Sequence, residues 1–410
     1  PLGVNLCSGW NCGGVWVTEE HAAKRIVGAQ TEVEGPGGVN VKLPQPAAAR
    51  GVYHDIALLA YRLPEGASPE PKLTASSSNR RHVPALAQDG LYDTRWISSG
   101  DKPGMGPTPE KPEFLQFDYD EAWPAAGLYL RPHTDCGPKE IEIQRSDDGK
   151  TYRAAKRAAA RPNQEIFVAF DEVKAAHFRV VFLSSHPYQG KENRNVQVAE
   201  ISLLTRAELK ASRPPGFWQR DGMVDLTEFM DDQGHLGWDA PAGAWRVLRV
   251  GYTLHGSRTK CVGSGPRGLE IDTMSAAAMD AQFAQTGAKL IADAGPLVGK
   301  TLQYFHIDSW ELGQPTWTPK MREEFRRRRG YDPLLFLPAV LGKKVDDAET
   351  ARRFLLDYRR TAADLVAANY YGRLRELTVA GGLRGTHPES GGPYFSHWID
   401  ALQCEGINDI

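Results

Sequence analysis

Two stretches of the 410-residue sequence end an apolar, strand-like run in acidic, imidazole and aromatic side chains. Leu302-Gln303-Tyr304-Phe305-His306-Ile307 leads into Asp308-Ser309-Trp310-Glu311, and Leu383-Arg384-Gly385-Thr386 leads into His387-Pro388-Glu389-Ser390-Gly391-Gly392. Two neighbouring strands would then each deliver a carboxylate to one rim. Cleavage of a glycosidic bond needs such a pair: a protonated carboxyl gives its proton to the leaving oxygen, and an ionised one activates water or attacks carbon. A lone acid after a strand is more often a helix N-cap. Glu311, however, precedes a loop-like Leu-Gly-Gln-Pro-Thr-Trp-Thr-Pro, which leaves Thr318 to cap a helix from Pro319. Glu389 precedes Ser, two Gly and Pro, so neither carboxylate has an obvious capping task.

Trp10, Trp310 and Trp317 lie in Gly- or Pro-rich loops beyond strands, where an aromatic face can stack on the apolar CH face of a sugar. Asp308, His306 and His387 stand beside them as candidate substrate contacts, although His306 reads equally as a hydrogen-bonded core residue. Asp272 reads as the N-cap of the helix that follows it. Arg326 to Arg329 closes a predicted helix and reads as a solvated face suited to the helix dipole.

The elements that must position these residues are of two kinds. From residue 266 onward, helices over 276–294, 319–329, 346–379 and 395–404 alternate with strands over 302–307 and 383–386. Alternating βα units imply a parallel sheet. Polar residues gathered at strand ends point to a (β/α)8 TIM-like barrel, whose carboxyl rim carries the chemistry. Residues 1–26, a strand and a loop dense in Gly and Trp, supply the first part of that barrel and residues 257–410 the second. Together they fall short of the about 250 residues of a complete barrel, so the expected barrel is partial. Residues 72–206 carry short strands between turns, the pattern of an inserted antiparallel β-sandwich. Residues 27–71 and 207–256 carry further β signals and are expected to pair with each other beside the barrel. The fold class is α/β plus all-β.

Composition narrows the function. Lys and Arg number 49 against 51 Asp and Glu, so no long-range field favours nucleic acid. No apolar run approaches the roughly 20 residues of a membrane span. Five cysteines without a CxxC pair indicate neither a zinc site nor a disulfide framework. The chain opens without Met and ends without a polar tail, which reads as a segment of a longer polypeptide.

The 72–206 block resembles the galactose-binding-like, discoidin (factor 5/8 type C) jelly roll. The residues that carry this are Thr74-Ala75-Ser76-Ser77-Ser78, Asp89-Gly90 with Asp93-Thr94-Arg95-Trp96, Ile141 to Lys150, and Ala199-Glu200-Ile201. The resemblance implies a structural calcium held by Asp89, Asp93, Thr94 and Glu200. Leu91 replaces an acid common in the loop, which removes one oxygen ligand.

The remaining chain resembles glycoside hydrolase family 106, the α-L-rhamnosidases. This rests on Asn5-Leu6-Cys7-Ser8-Gly9-Trp10, Gly13 to Thr18, Leu248 to Thr253, His306 to Glu311, Arg328 to Pro333, Asn369-Tyr370-Tyr371-Gly372 and His387 to Gly392. The resemblance implies an inverting, calcium-assisted hydrolase that removes α-L-rhamnose from plant or algal polysaccharides or glycosides. Glu311 is then the expected acid and Glu389 the base or a metal-site ligand. A polymer substrate implies a periplasmic or extracellular bacterial setting. A carbohydrate-binding protein without catalysis, or an inactive barrel fragment, is the competing reading.

Overall fold

The computed structural model describes residues 2–7, 12–63, 71–89, 94–100, 102–133, 136–162, 164–212, 218–260, 265–308, 313, 315–388 and 399–409. The chain divides into two compact units, one of residues 1–62, 221–341 and 349–410, the other of residues 63–220 and 342–348. No helix among the described residues is long and apolar enough to cross a membrane.

In the first unit, strands β1 (Leu2–Cys7), β2 (Leu302–Ile307) and β3 (Gly385–Pro388) form a parallel sheet in that order. Phe305 and Ile307 on β2 are fully buried, and Thr386 and Pro388 on β3 are buried beside them. The sheet is open, so the expected (β/α)8 barrel is not closed among the described residues. Leu269–Glu270 does not join it either, running antiparallel to Gly13–Gly14. Glycine permits that contact: a Cβ on Gly268 would lie 1.8 Å from the Gly14 carbonyl carbon, and one on Gly13 would lie 2.1 Å from the Leu269 oxygen.

Helices connect these strands. The helix expected over 276–294 is two, α1 (Ala276–Gln285) and α2 (Gly287–Ala294). Between them Thr286 leaves helical geometry and its hydroxyl donates back to the Gln282 carbonyl at 2.6 Å. Ser275, not Asp272, caps α1 by accepting from the Ala278 amide. Helix α3 (Met321–Arg329) begins two residues later than Pro319, with Lys320 rather than Thr318 at its cap position. Helix α4 (Ala348–Val366) passes through a π turn at Ala367–Gly372 into α5 (Arg373–Ala380). Its apolar stripe buries Phe354 and Tyr358 against Phe325 and Phe336, with the Phe336 and Phe354 rings stacked at 4.7 Å.

A four-stranded antiparallel sheet completes this unit, in the order Met223–Asp225, His54–Arg62, His235–Leu254 and Lys24–Lys42. Its core includes Leu58, Ala60, Leu236, Val247 and the edge-to-face pair Trp238–Trp245 at 5.1 Å. Arg249, 6% exposed, crosses it to donate twice to the Asp55 carboxylate at 2.8 Å.

The second unit is a seven-stranded antiparallel sheet built on two long strands, Glu113–Pro132 and Ile166–Ser185. Their pairing is interrupted between Ala169 and Val173 and again between Ala175 and His177, where the strands bend. One apolar core follows, centred on Trp96, Leu115, Phe117, Phe178, Val180, Phe182, Val198 and Ile201. Residues 342–348 return to this unit. Trp218 donates its amide to the Lys344 carbonyl at 2.7 Å, and the Arg220 guanidinium meets the Asp346 carboxylate at 2.6 Å.

Candidate active site

The carboxyl ends of the three parallel strands bring distant residues side by side. Asn5 on β1 is in register with His306 on β2, and His306 with His387 on β3. Lateral neighbours in a parallel sheet point to the same face. Asn5 and His387 are exposed and His306 half-buried, while Phe305 and Ile307 turn inward. The two imidazoles meet Nδ1 to Nδ1 at 3.0 Å, with ring centroids 5.2 Å apart. Just past β2, the Asp308 amide donates to the Cys7 carbonyl at 2.7 Å, and the Asn5 amide nitrogen reaches an Asp308 carboxylate oxygen at 3.5 Å.

Two neutral imidazoles can share such a contact only if one Nδ1 carries hydrogen and the other a lone pair. The donor ring then presents a lone pair at Nε2 and the acceptor ring presents an N–H there. This row therefore offers one donor and one acceptor on adjacent strands, with Asn5 and Asp308 beside them, groups of the kind that bind the hydroxyls of a sugar.

His306, Asp308 and His387 are thus brought together as the sequence places them. Trp317 is not. It is 3% exposed, bridged to Lys24 and stacked at 6.4 Å on Tyr252, so it belongs to the core and offers no face to a sugar. Trp10, Trp310, Glu311 and Glu389 lie outside the described residues. In sequence, Glu311 follows Asp308 by three residues and Glu389 follows His387 by two.

Of two further buried carboxyls, Glu270 gives no signal in the sequence beyond its place in a short apolar run, while Asp272, which reads as an N-cap, does not cap α1. Glu270 is 1% exposed. Burial pushes its pKa well up and the Cys12 thiol adds to this, while the Cys12 backbone amide opposes it. Asp272 is fully buried and raised to about 6, by burial first, against the opposing pull of Lys24, Thr318 and the Met274 amide. The Lys24 ammonium donates to the carbonyls of Glu20 and Ala22 at 2.7 and 2.8 Å. All three side chains are buried.

The family-like basic motif is likewise structural. Of Arg326 to Arg329 the first two are exposed, as a solvated face requires, whereas Arg329 donates to Asp364 at 2.5 Å and to the Thr361 hydroxyl, and Arg328 to Glu324 at 3.1 Å. Arg322 makes a two-pronged contact with Asp332 at 2.9 and 2.8 Å.

Three residues of the calcium set expected in the second unit, Asp89, Thr94 and Glu200, are described. Asp89 accepts from the Thr94 hydroxyl at 2.7 Å, while Asp93 lies outside the described residues. Glu200, 1% exposed, faces the Lys344 ammonium at 2.6 Å. That carboxylate already has a cation, and among the described residues no three acidic, His or Cys side chains converge on a metal position. Glu200 therefore does not fit as a calcium ligand here.

The model of the alpha-L-rhamnosidase family matches residues 2–410. The structure of a rhamnosidase from Novosphingobium sp. PP1Y superposes with a TM-score of 0.61 at 26% identity, covering 99% of this chain and 40% of that one. A protein of Formosa agariphila named "Putative beta-glucuronidase" is 36% identical over 191 residues, which is 46% of this chain and 16% of that protein. The chain thus spans less than half the length of either. It belongs to glycoside hydrolase family 106, the alpha-L-rhamnosidases.

Proposed function

We propose that this chain contributes the catalytic rim of a glycosidase that removes α-L-rhamnose from plant or algal polysaccharides or glycosides. The observation that supports this reading best is the row Asn5–His306–His387 beside Asp308, because it collects hydroxyl-binding groups on strands that run, in sequence, straight into Glu311 and Glu389. Glu311 acts as the acid that protonates the leaving oxygen and Glu389 as the base that activates water, which inverts the anomeric centre. The histidine pair and Asn5 hold the sugar's hydroxyls, so that binding energy fixes the anomeric carbon between the two carboxyls. The setting is periplasmic or extracellular, where such polymers are met.

Similarity to a protein named as a β-glucuronidase supports a second sugar specificity on the same site. The test is hydrolysis of aryl α-L-rhamnoside and aryl β-D-glucuronide side by side, with the first-formed anomer followed by proton NMR. Release of β-rhamnose from the α-rhamnoside supports the first reading. Cleavage of the glucuronide alone replaces it with the second, and first-formed α-rhamnose removes the inverting mechanism.

A further inference from the structure

The buried cysteines of the first unit are not all isolated. Cys7 ends β1 and Cys12 stands just before Gly13, and their Sγ atoms lie 2.9 Å apart with both residues fully buried. Each partner is anchored independently of the segment between them. The Cys7 carbonyl accepts from the Asp308 amide at 2.7 Å, the Cys12 carbonyl accepts from the Ile271 amide at 3.0 Å, and the next residue, Gly13, pairs with Glu270. The thiols are therefore held facing each other by β2 on one side and by the Leu269–Glu270 strand on the other.

We propose that Cys7 and Cys12 form an intrachain disulfide, which closes residues 7–12 into a covalent ring at the carboxyl end of β1. The sulfurs need approach by less than about 1 Å to reach bonding distance. Formation removes two protons and two electrons from the thiols. The electrons go to a disulfide oxidant of the glutathione or dithiol-oxidase class, which leaves as two thiols. Burial pushes the Cys12 thiol well up in pKa, so little thiolate exists once the chain is folded and the exchange belongs to folding. The ring contains Ser8-Gly9-Trp10-Asn11 in sequence and joins β1, which carries Asn5 of the candidate site, to the Gly13–Gly14 strand, so its consequence is a fixed connection between the two. This cross-link stands whether or not the proposed rhamnosidase activity does.

The test uses the whole chain, once incubated folded with a reduced and oxidised glutathione pair and once refolded from guanidinium in the same pair. Each sample is denatured without reductant, alkylated with iodoacetamide and digested with trypsin, which leaves both cysteines in the single peptide 1–24. The expected result is a non-alkylated peptide about 2 Da lighter than its reduced form, taking up two alkyl groups only after phosphine reduction. A doubly alkylated peptide in both non-reduced samples overturns the proposal. A Cys7→Ser, Cys12→Ser double variant, whose melting temperature is expected to ignore reductant while that of the wild type falls, separates this bond from any other thiol.

Discussion

The Nδ1 atoms of His306 and His387 lie 3.0 Å apart across adjacent parallel strands whose opposite faces are packed into the core. Each ring fixes the tautomer and orientation of the other, so removing either disturbs both Nε2 positions. His306→Phe and His387→Phe are each expected to lower kcat/KM on an aryl rhamnoside by about 10²-fold, through misplacement of the sugar. The double variant should cost little more than one alone, because the pair acts as a unit. Full additivity in this double-mutant cycle would contradict the coupling.

Lys344 and Glu200 make a buried ion pair with neither side chain more than 9% exposed. Losing one partner of such a pair costs about 3–5 kcal/mol because the other charge stays desolvated. Lys344→Met should therefore destabilise the second unit markedly, and Lys344→Met with Glu200→Gln should recover much of the loss. Since the ammonium meets the charge at Glu200, a chelator is expected to leave the wild-type melting curve of this unit unchanged. A chelator-induced loss of stability, reversed by calcium, would show that a metal carries that role.

Asp272 gives a pH dependence of definite sign. Its folded-state pKa of about 6 lies above the ordinary value of 3.8, because burial disfavours the charge more than Lys24 and its hydrogen bonds favour it. The folded chain binds more protons at this residue than the unfolded chain, so its contribution is fully present below pH about 4 and is lost as pH rises through about 6. Relative to Asp272→Asn, which cannot ionise, the wild type should lose about 2 kcal/mol of stability between pH 4 and pH 7.5. Denaturant titrations of both proteins across that range measure it. A gap that is flat or grows in favour of the wild type would contradict this placement.

What the sequence shows and what it conceals divide along chain distance. The strand ending in His306 is legible because its apolar residues and the acids beyond it are contiguous, and α4 because its apolar stripe repeats every three or four residues. Trp317 read as a rim residue because its loop is rich in Pro and Thr. What buries it is Lys24 and Tyr252, far away in sequence. Arg329 looks like a free cation until Asp364 arrives from α4. Lys344 sits more than a hundred residues from Glu200 with no local pattern to announce it. Alternation of helices and strands specifies parallel pairing without specifying how many strands join or whether they close into a barrel. The calcium set is implied by the jelly-roll resemblance, and a resemblance in residue types does not say which cation a carboxylate such as Glu200 meets.

The central claim is that Glu311 and Glu389 act together at the rim marked by His306 and His387. Hydrolysis of a chromogenic α-L-rhamnoside by the wild type, Glu311→Gln and Glu389→Gln, each verified as folded by its melting curve, tests it most directly. Each substitution is expected to lower kcat by about 10²–10⁴-fold, the range of a lost general acid or base. Wild-type rates in both variants would contradict the account.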